Sequence, residues 1–121
     1  MTVSFIPAAD LKRHFRVLGH FYSLALPAVE PQKCRSVLEI TSTTAAKNPV
    51  ADAVFVMMNP GSSRPVEETN HLVRSDQVAE MTTKLVPTVP DTTQYQVMRL
   101  MHYQGWQHVR VINDSIFSFH K

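Results

Sequence analysis

Ala53-Val54-Phe55-Val56-Met57-Met58, followed at once by Asn59-Pro60-Gly61-Ser62-Ser63, is the stretch on which the fold reading turns. An apolar run rich in β-branched and aromatic residues predicts a buried strand, and the polar, sharply turning loop marks its carboxyl end. Open α/β sheets keep their ligand sites at such ends. Proline drives Asn59 into an extended conformation, and Gly61 can turn the backbone through a positive φ. The amide of Asn59 is thereby carried past the strand beside exposed backbone donors. Ser62 and Ser63 add hydroxyls and Arg64 a cation, a set able to hold an anion or a polar base edge. Asn-Pro-Gly is also a common turn that needs no ligand, so a purely structural reading stands beside the functional one.

Working outward, the small and polar segment 41–52, with Asn48-Pro49, predicts a turn or loop. Before it, Val37, Leu38, Glu39 and Ile40 alternate and predict a strand over 36–41. Its short connection to 53–58 favours antiparallel neighbours. Further upstream, Leu11, Phe15 and Leu18 lie at helical spacing within 8–18, with Asp10 near the start. Lys12, Arg13 and Arg16 fall close together on that helix, as a phosphate-facing patch or as a solvated face. Residues 21–26 predict a short strand that Pro27 and Pro31 break.

Downstream, 67–85 carries a mixed helical pattern, with Leu72, Val73, Val78, Met81 and Leu85 as buried contacts and Pro87 and Pro90 as terminators. Asp91 then predicts an N-cap with Gln94 in the capping-box position, opening a helix that runs to Gln104. Val97, Leu100 and Met101 form its inner stripe, Tyr95 and Met98 its shoulders, and Gly105 stops it in a left-handed conformation. Trp106 begins a tight return into a strand through Val109, Val111 and Ile112 that finishes at Asn113-Asp114. A right-handed crossover would make the strands at 54–58 and 108–112 parallel, and Asn59, Asn113 and Asp114 would then converge on one crevice with Asp91 near it; the two helical stretches between the strands leave the direction of the second one open. The expected fold class is α/β: a single domain over 1–121, a mixed sheet with a parallel strand pair and helices packed against it.

Composition sets outer bounds on function. With 44% hydrophobic and 18% charged residues the chain is ordinary globular material. A formal charge of +2 argues neither for nor against nucleic acid or membrane. Cys34 is the only cysteine, which excludes an intrachain disulfide and a cysteine metal cluster. The first residues lack a secretory apolar segment and no apolar run approaches a membrane span, so the cytoplasm is expected. Gly19, Gly61 and Gly105 form neither a P-loop nor a dinucleotide fingerprint, and the histidines include no compact ligand pair. Neither a cofactor nor a metal is expected. Cys34 reads as a spectator thiol, and Glu67-Glu68 as carboxylates at a helix start.

The segments Phe55-Val56-Met57-Met58-Asn59-Pro60-Gly61, Asp91-Thr92-Thr93 with the following helix and Arg99, and Gly105-Trp106 with the strand to Asn113 together resemble an uncharacterised bacterial domain-of-unknown-function family. Its members carry a strand ending in Met-Asn-Pro-Ser or a close variant, an Asp-x-Thr opening a helix, and Gly-Trp or Gly-Tyr before a strand ending in Asn. The resemblance covers residues 53–115, with weaker similarity at 35–40. Gly61 replaces the usual serine, and the interval between the first two motifs is longer than in the family. Relatives continue past the last strand, which implies a truncated or minimal member, or a sheet completed by a partner. A homo-oligomer through the exposed edge of that strand is the expectation that follows.

Met-Asn-Pro-Gly is also similar to the first motif of the single-strand-selective and mismatch-specific uracil-DNA glycosylases, where the asparagine positions the attacking water. That resemblance implies a catalytic Asn59; separately from it, an enzyme reading of the crevice takes Asp91 or Asp114 as polarising group. Pro60, Gly61, Ser62, Ser63 and Asn113 would line the ligand. Phe55, Tyr95 and Trp106 are aromatics available for base stacking, though a core role explains them as well. The glycosylases' second motif has no counterpart here. Two functional expectations stand: hydrolysis of a nucleobase- or nucleotide-like substrate, or binding of nucleic acid or a phosphate ligand without turnover.

Overall fold

A computed structural model of the chain describes residues 5–25, 27, 29–44, 50–57, 64–67, 72–74, 76–77 and 84–113. The elements in chain order are α1 (Ala8–His14), β1 (Phe15–Ala25), β2 (Gln32–Ser42), β3 (Ala53–Met57), β4 (Arg64–Pro65), β5 (Leu72–Arg74), β6 (Val86–Val89), α2 (Thr92–Gln104) and β7 (His108–Asn113). The strands form one mixed sheet in the order β3-β7-β2-β1-β6-β4, with β5 parallel to β1 off that path. β3 and β7 are parallel; β7 with β2 and β2 with β1 are antiparallel. The expected α/β domain with a parallel pair is what the chain forms.

Each long strand alternates its side chains between two faces, and on one of them both helices pack. That face carries Phe15, Val17 and Phe21 of β1, Leu38 and Ile40 of β2, and Val109 and Val111 of β7. Leu11 of α1 and Val97, Met98 and Met101 of α2 close over them. Ala53, Phe55 and Met57 of β3, Tyr95 and Trp106 pack against this core half-buried. A second, smaller cluster of Tyr22, Leu24, Cys34 and Val73 lies on the opposite face, beyond a register shift between His20 and Phe21. The bulge rotates the last part of the β1–β2 ribbon.

Several expectations are corrected. The helix predicted over 8–18 stops at His14, because Phe15, Val17 and Phe21 bury at a period of two and pull the chain into β1, which also absorbs the predicted 21–26 strand. Arg16 therefore lies on a strand while Arg13 pairs with Asp10 on α1, and the basic patch does not form. The 36–41 strand is longer, Gln32–Ser42, and is not the neighbour of β3: β7 lies between them. β7, apolar on its inner face and paired on both sides, takes the interior position.

β3 is an edge rather than a buried strand, with Val54 55% and Val56 63% exposed. The last strand accordingly has no exposed edge. Of the helix expected over 67–85, residues 68–71, 75 and 78–83, with Val78 and Met81, lie outside the described residues; Leu72–Arg74 is extended, not helical, and only Val73 of it is buried. Pro87 belongs to β6, where its register partner is Leu18 and its carbonyl accepts from Val66 N–H at 2.8 Å. A strand this short tolerates a residue without an N–H. On α2 the inner stripe is Gln94, Val97, Met98 and Met101, whereas Leu100 is 38% exposed.

Candidate functional site

The site is built from strand ends. In the parallel β3–β7 pair Met57 is the register partner of Asn113, so the two strands finish side by side. One residue back, Ile112 pairs with Val37 of β2, which brings Ser36 and Arg35 to the same end of the sheet. α2 packs on β7 and turns back into it through Gly105, whose φ of 73° needs no Cβ. The helix is thus antiparallel to β7, and its first residues lie over the strand ends.

Asp91 begins that helix as the sequence predicts. Its Oδ1 accepts from Gln94 N–H at 3.2 Å while Gln94 Oε1 accepts from Asp91 N–H at 2.8 Å. The reciprocal pair satisfies donors that a helix start leaves open. Arg35, 2% exposed, reaches the same place. Burial pulls its guanidinium down to about 10, a shift that the Asp91 carboxylate opposes. A desolvated cation, a capping carboxylate and a buried glutamine therefore stand together beside the ends of β2 and β7.

Asn59, Pro60, Gly61, Ser62, Ser63 and Asp114 lie outside the described residues, and of Asn113 only the backbone is described. Of the expected set, the structure brings the carboxyl ends of β3 and β7 together and sets Asp91 at the head of the helix packed over them.

Sequence reasoning missed three polar groupings. Arg35 is the first; its run Cys34-Arg35-Ser36 offers no local sign of burial. The second lies on the face opposite the helices, where Glu39 binds His108 through Oε1 and Arg110 through Oε2. The β2–β7 register makes Glu39 and Arg110 direct partners, a cross-strand pairing legible only once the strand order is known. The third is Asp52, which accepts from Gln107 N–H at 2.7 Å and His108 N–H at 3.1 Å, while its own N–H donates to His108 O at 2.7 Å. An aspartate immediately before a strand was the available signal.

On the bulge, His20 Nδ1 and Ser36 Oγ are 2.6 Å apart, and His20 stacks on Tyr22. Burial is also the main reason why Tyr22 is pushed up to about 12 and the Cys34 thiol above its usual range. Arg99, one of the residues in the family resemblance, donates to Ile6 O at 2.8 Å and lies 4.1 Å from the Phe5 ring, fastening the segment before α1 to α2.

Fold and strand ends together define the class: a single α/β domain whose mixed sheet has the parallel β3–β7 pair at one edge, with a charged cluster at the carboxyl end of that pair. No protein-family model matches the chain, and no curated protein or solved structure matches it. Among the described residues no helix is long and apolar enough to cross a membrane, and no group of three or more His, Cys, Asp or Glu is arranged to hold a metal ion.

Proposed function

We propose that this chain is a nucleobase- or nucleotide-handling hydrolase of glycosylase-like mechanism, with Asn59 at the tip of β3 as the group that orients water. The observation that carries the reading is the side-by-side ending of β3 and β7 at Met57 and Asn113. Asn59 follows two residues after the first, and Asp114 one residue after the second. An amide suits the task because its oxygen accepts from the attacking water while its nitrogen is held by another partner.

Water's oxygen bonds to the sugar's anomeric carbon as the glycosidic bond breaks, and the base leaves with the bonding electron pair. The released proton passes to Asp91 or Asp114. Arg35 beside Asp91 supplies positive charge at the place where a base anion develops. Pro60, Gly61, Ser62, Ser63 and Asn113 complete the ligand shell, and the proposed setting is the cytoplasm.

The test is base release from oligonucleotides carrying uracil or hypoxanthine, compared between the native chain and Asn59→Ala. Release that disappears in the variant with its thermal melting unchanged supports the proposal; absence of turnover in the native chain on every deaminated base contradicts it. Binding of nucleic acid or a phosphate ligand at the same strand ends without turnover is the second reading. It predicts an affinity for single-stranded oligonucleotides that falls steeply with salt.

A further inference from the structure

β3 (Ala53–Met57) ends the sheet, and the pairing of its neighbours shows which of its backbone groups are used. Ser42 N–H donates to Gln107 O at 2.8 Å, so in the antiparallel β2–β7 pair the odd-numbered residues of β7 turn their backbone groups to β2. The even-numbered ones face β3, and His108 O accordingly accepts from Asp52 N–H at 2.7 Å. In a parallel pair the residue facing its neighbour bonds the positions just before and just after its register partner. Arg110, partner of Val54, thus takes the backbone of Ala53 and Phe55, and Ile112, partner of Val56, that of Phe55 and Met57. The N–H and C=O groups of Val54 and Val56 point outward, and among the described residues no strand lies beyond them.

An open strand edge is a template for another strand, and proteins that keep it free place a lysine, a proline or a bulge there. β3 has none of these: Ala-Val-Phe-Val-Met is uncharged and pairs with β7 in unbroken register. Val54 and Val56 also expose their side chains on the face away from the helices. The charges beside them are matched within the chain. Arg110 is held by Glu39, which also binds His108, and Asp52 turns its carboxylate to the Gln107 and His108 N–H groups.

These features select a second copy of the chain as the occupant. A strand without charge meets no like charge in itself, and its two outward-facing residues lie symmetrically about Phe55. We infer that the chain forms a twofold homodimer in which β3 pairs antiparallel with the partner's β3 about an axis at Phe55, joining two sheets into one. Val54 N–H donates to the C=O of the partner's Val56 and Val54 C=O accepts from its N–H, and the axis repeats the exchange. Phe55 meets the partner's Phe55 on the helix side, where it packs half-buried against the core, and the valines of both copies meet on the other face. Such a contact is closed, so assembly stops at two. The dimer does not involve Asn59 and stands or falls apart from the strand-end proposal.

The experiment is sedimentation velocity on the full chain from about 1 to about 300 µM. Two five-residue strands make a small interface, so a monomer–dimer equilibrium with a dissociation constant on the order of 10 µM is expected. The double variant Val54→Lys, Val56→Lys and its counterpart Val54→Glu, Val56→Glu should each stay monomeric, while an equimolar mixture of the two forms the dimer again. Because both side chains are exposed, thermal melting at about 1 µM should match the native chain. A native chain that is monomeric throughout overturns the inference and leaves the edge to a foreign strand. So does a dimer that survives in either double variant, or growth of the native chain beyond two copies.

Discussion

At the scale of single residues, the buried Arg35 faces the capping carboxylate of Asp91. Asp91→Ala removes both the helix cap and the charge facing Arg35, whereas Asp91→Asn keeps a capping acceptor and removes only the charge. Cap loss costs about 1 kcal/mol. Stranding a buried cation adds to that, so Asp91→Ala is expected to be the more destabilised of the two and Asp91→Asn still below the native chain. Denaturant unfolding of the three proteins measures the order; an Asp91→Asn as stable as native would remove Arg35 from the cluster.

The pH response belongs to the same scale. Unfolded Tyr22 ionises near 10 and the folded residue near 12, so its contribution is full below about 10 and lost as pH rises to 12. Arg35, pulled by burial from the ordinary guanidinium range down to about 10, has the opposite sign and regains stability across that interval. Tyr22→Phe deletes only the first effect. Relative to the native chain it should therefore gain stability between pH 10 and 12, which denaturation at those two limits reads directly. Cys34, fully buried and with its thiol held protonated, should react with a thiol reagent only as fast as the chain opens. The Asp91 cap was readable from Asp-x-x-Gln; its pairing with Arg35 was not, because nothing local ties residues so far apart in sequence.

At the scale of elements, the two glycines of the described structure do different work. Gly105 closes α2 in a left-handed turn with open space around its missing Cβ, so Gly105→Ala costs about 1 kcal/mol through backbone strain alone. Gly19 lies on β1 where a Cβ would stand 2.7 Å from Leu38, 2.8 Å from Phe21 and 2.9 Å from Thr88. Gly19→Ala therefore overpacks the core and should lose about 2 kcal/mol. Equal losses in thermal or denaturant unfolding would contradict this separation. α2 was legible from its cap, its stop and its period. The first half of β1 was not, because Leu11, Phe15 and Leu18 satisfy helical spacing while Phe15, Val17 and Phe21 satisfy strand spacing, and tertiary burial decides between them; only its second half was expected as a strand. The Leu72–Arg74 strand was hidden similarly: three residues cannot display a period.

For the whole molecule, the sequence disclosed the class of fold, and a right-handed crossover pointed to a parallel β3 and β7, but the segment between them left the direction of the second strand open. It did not disclose strand order. A short connection favoured β2 beside β3, but β7 pairs with both at once. Asp52 fixes the result, gripping the first residues of β7 from the first turn before β3. Insertion of β7 also leaves β3 at the margin, with Val54 and Val56 facing outward away from the helices.

The functional account depends on Asn59 acting where β3 and β7 finish together. Base release from a uracil-containing single strand, measured for the native chain and Asn59→Ala in parallel with their thermal melting, tests it most directly. The account predicts release by the native chain, its loss in the variant, and melting curves that superimpose; undiminished release by a folded Asn59→Ala, or none by the native chain, would contradict it.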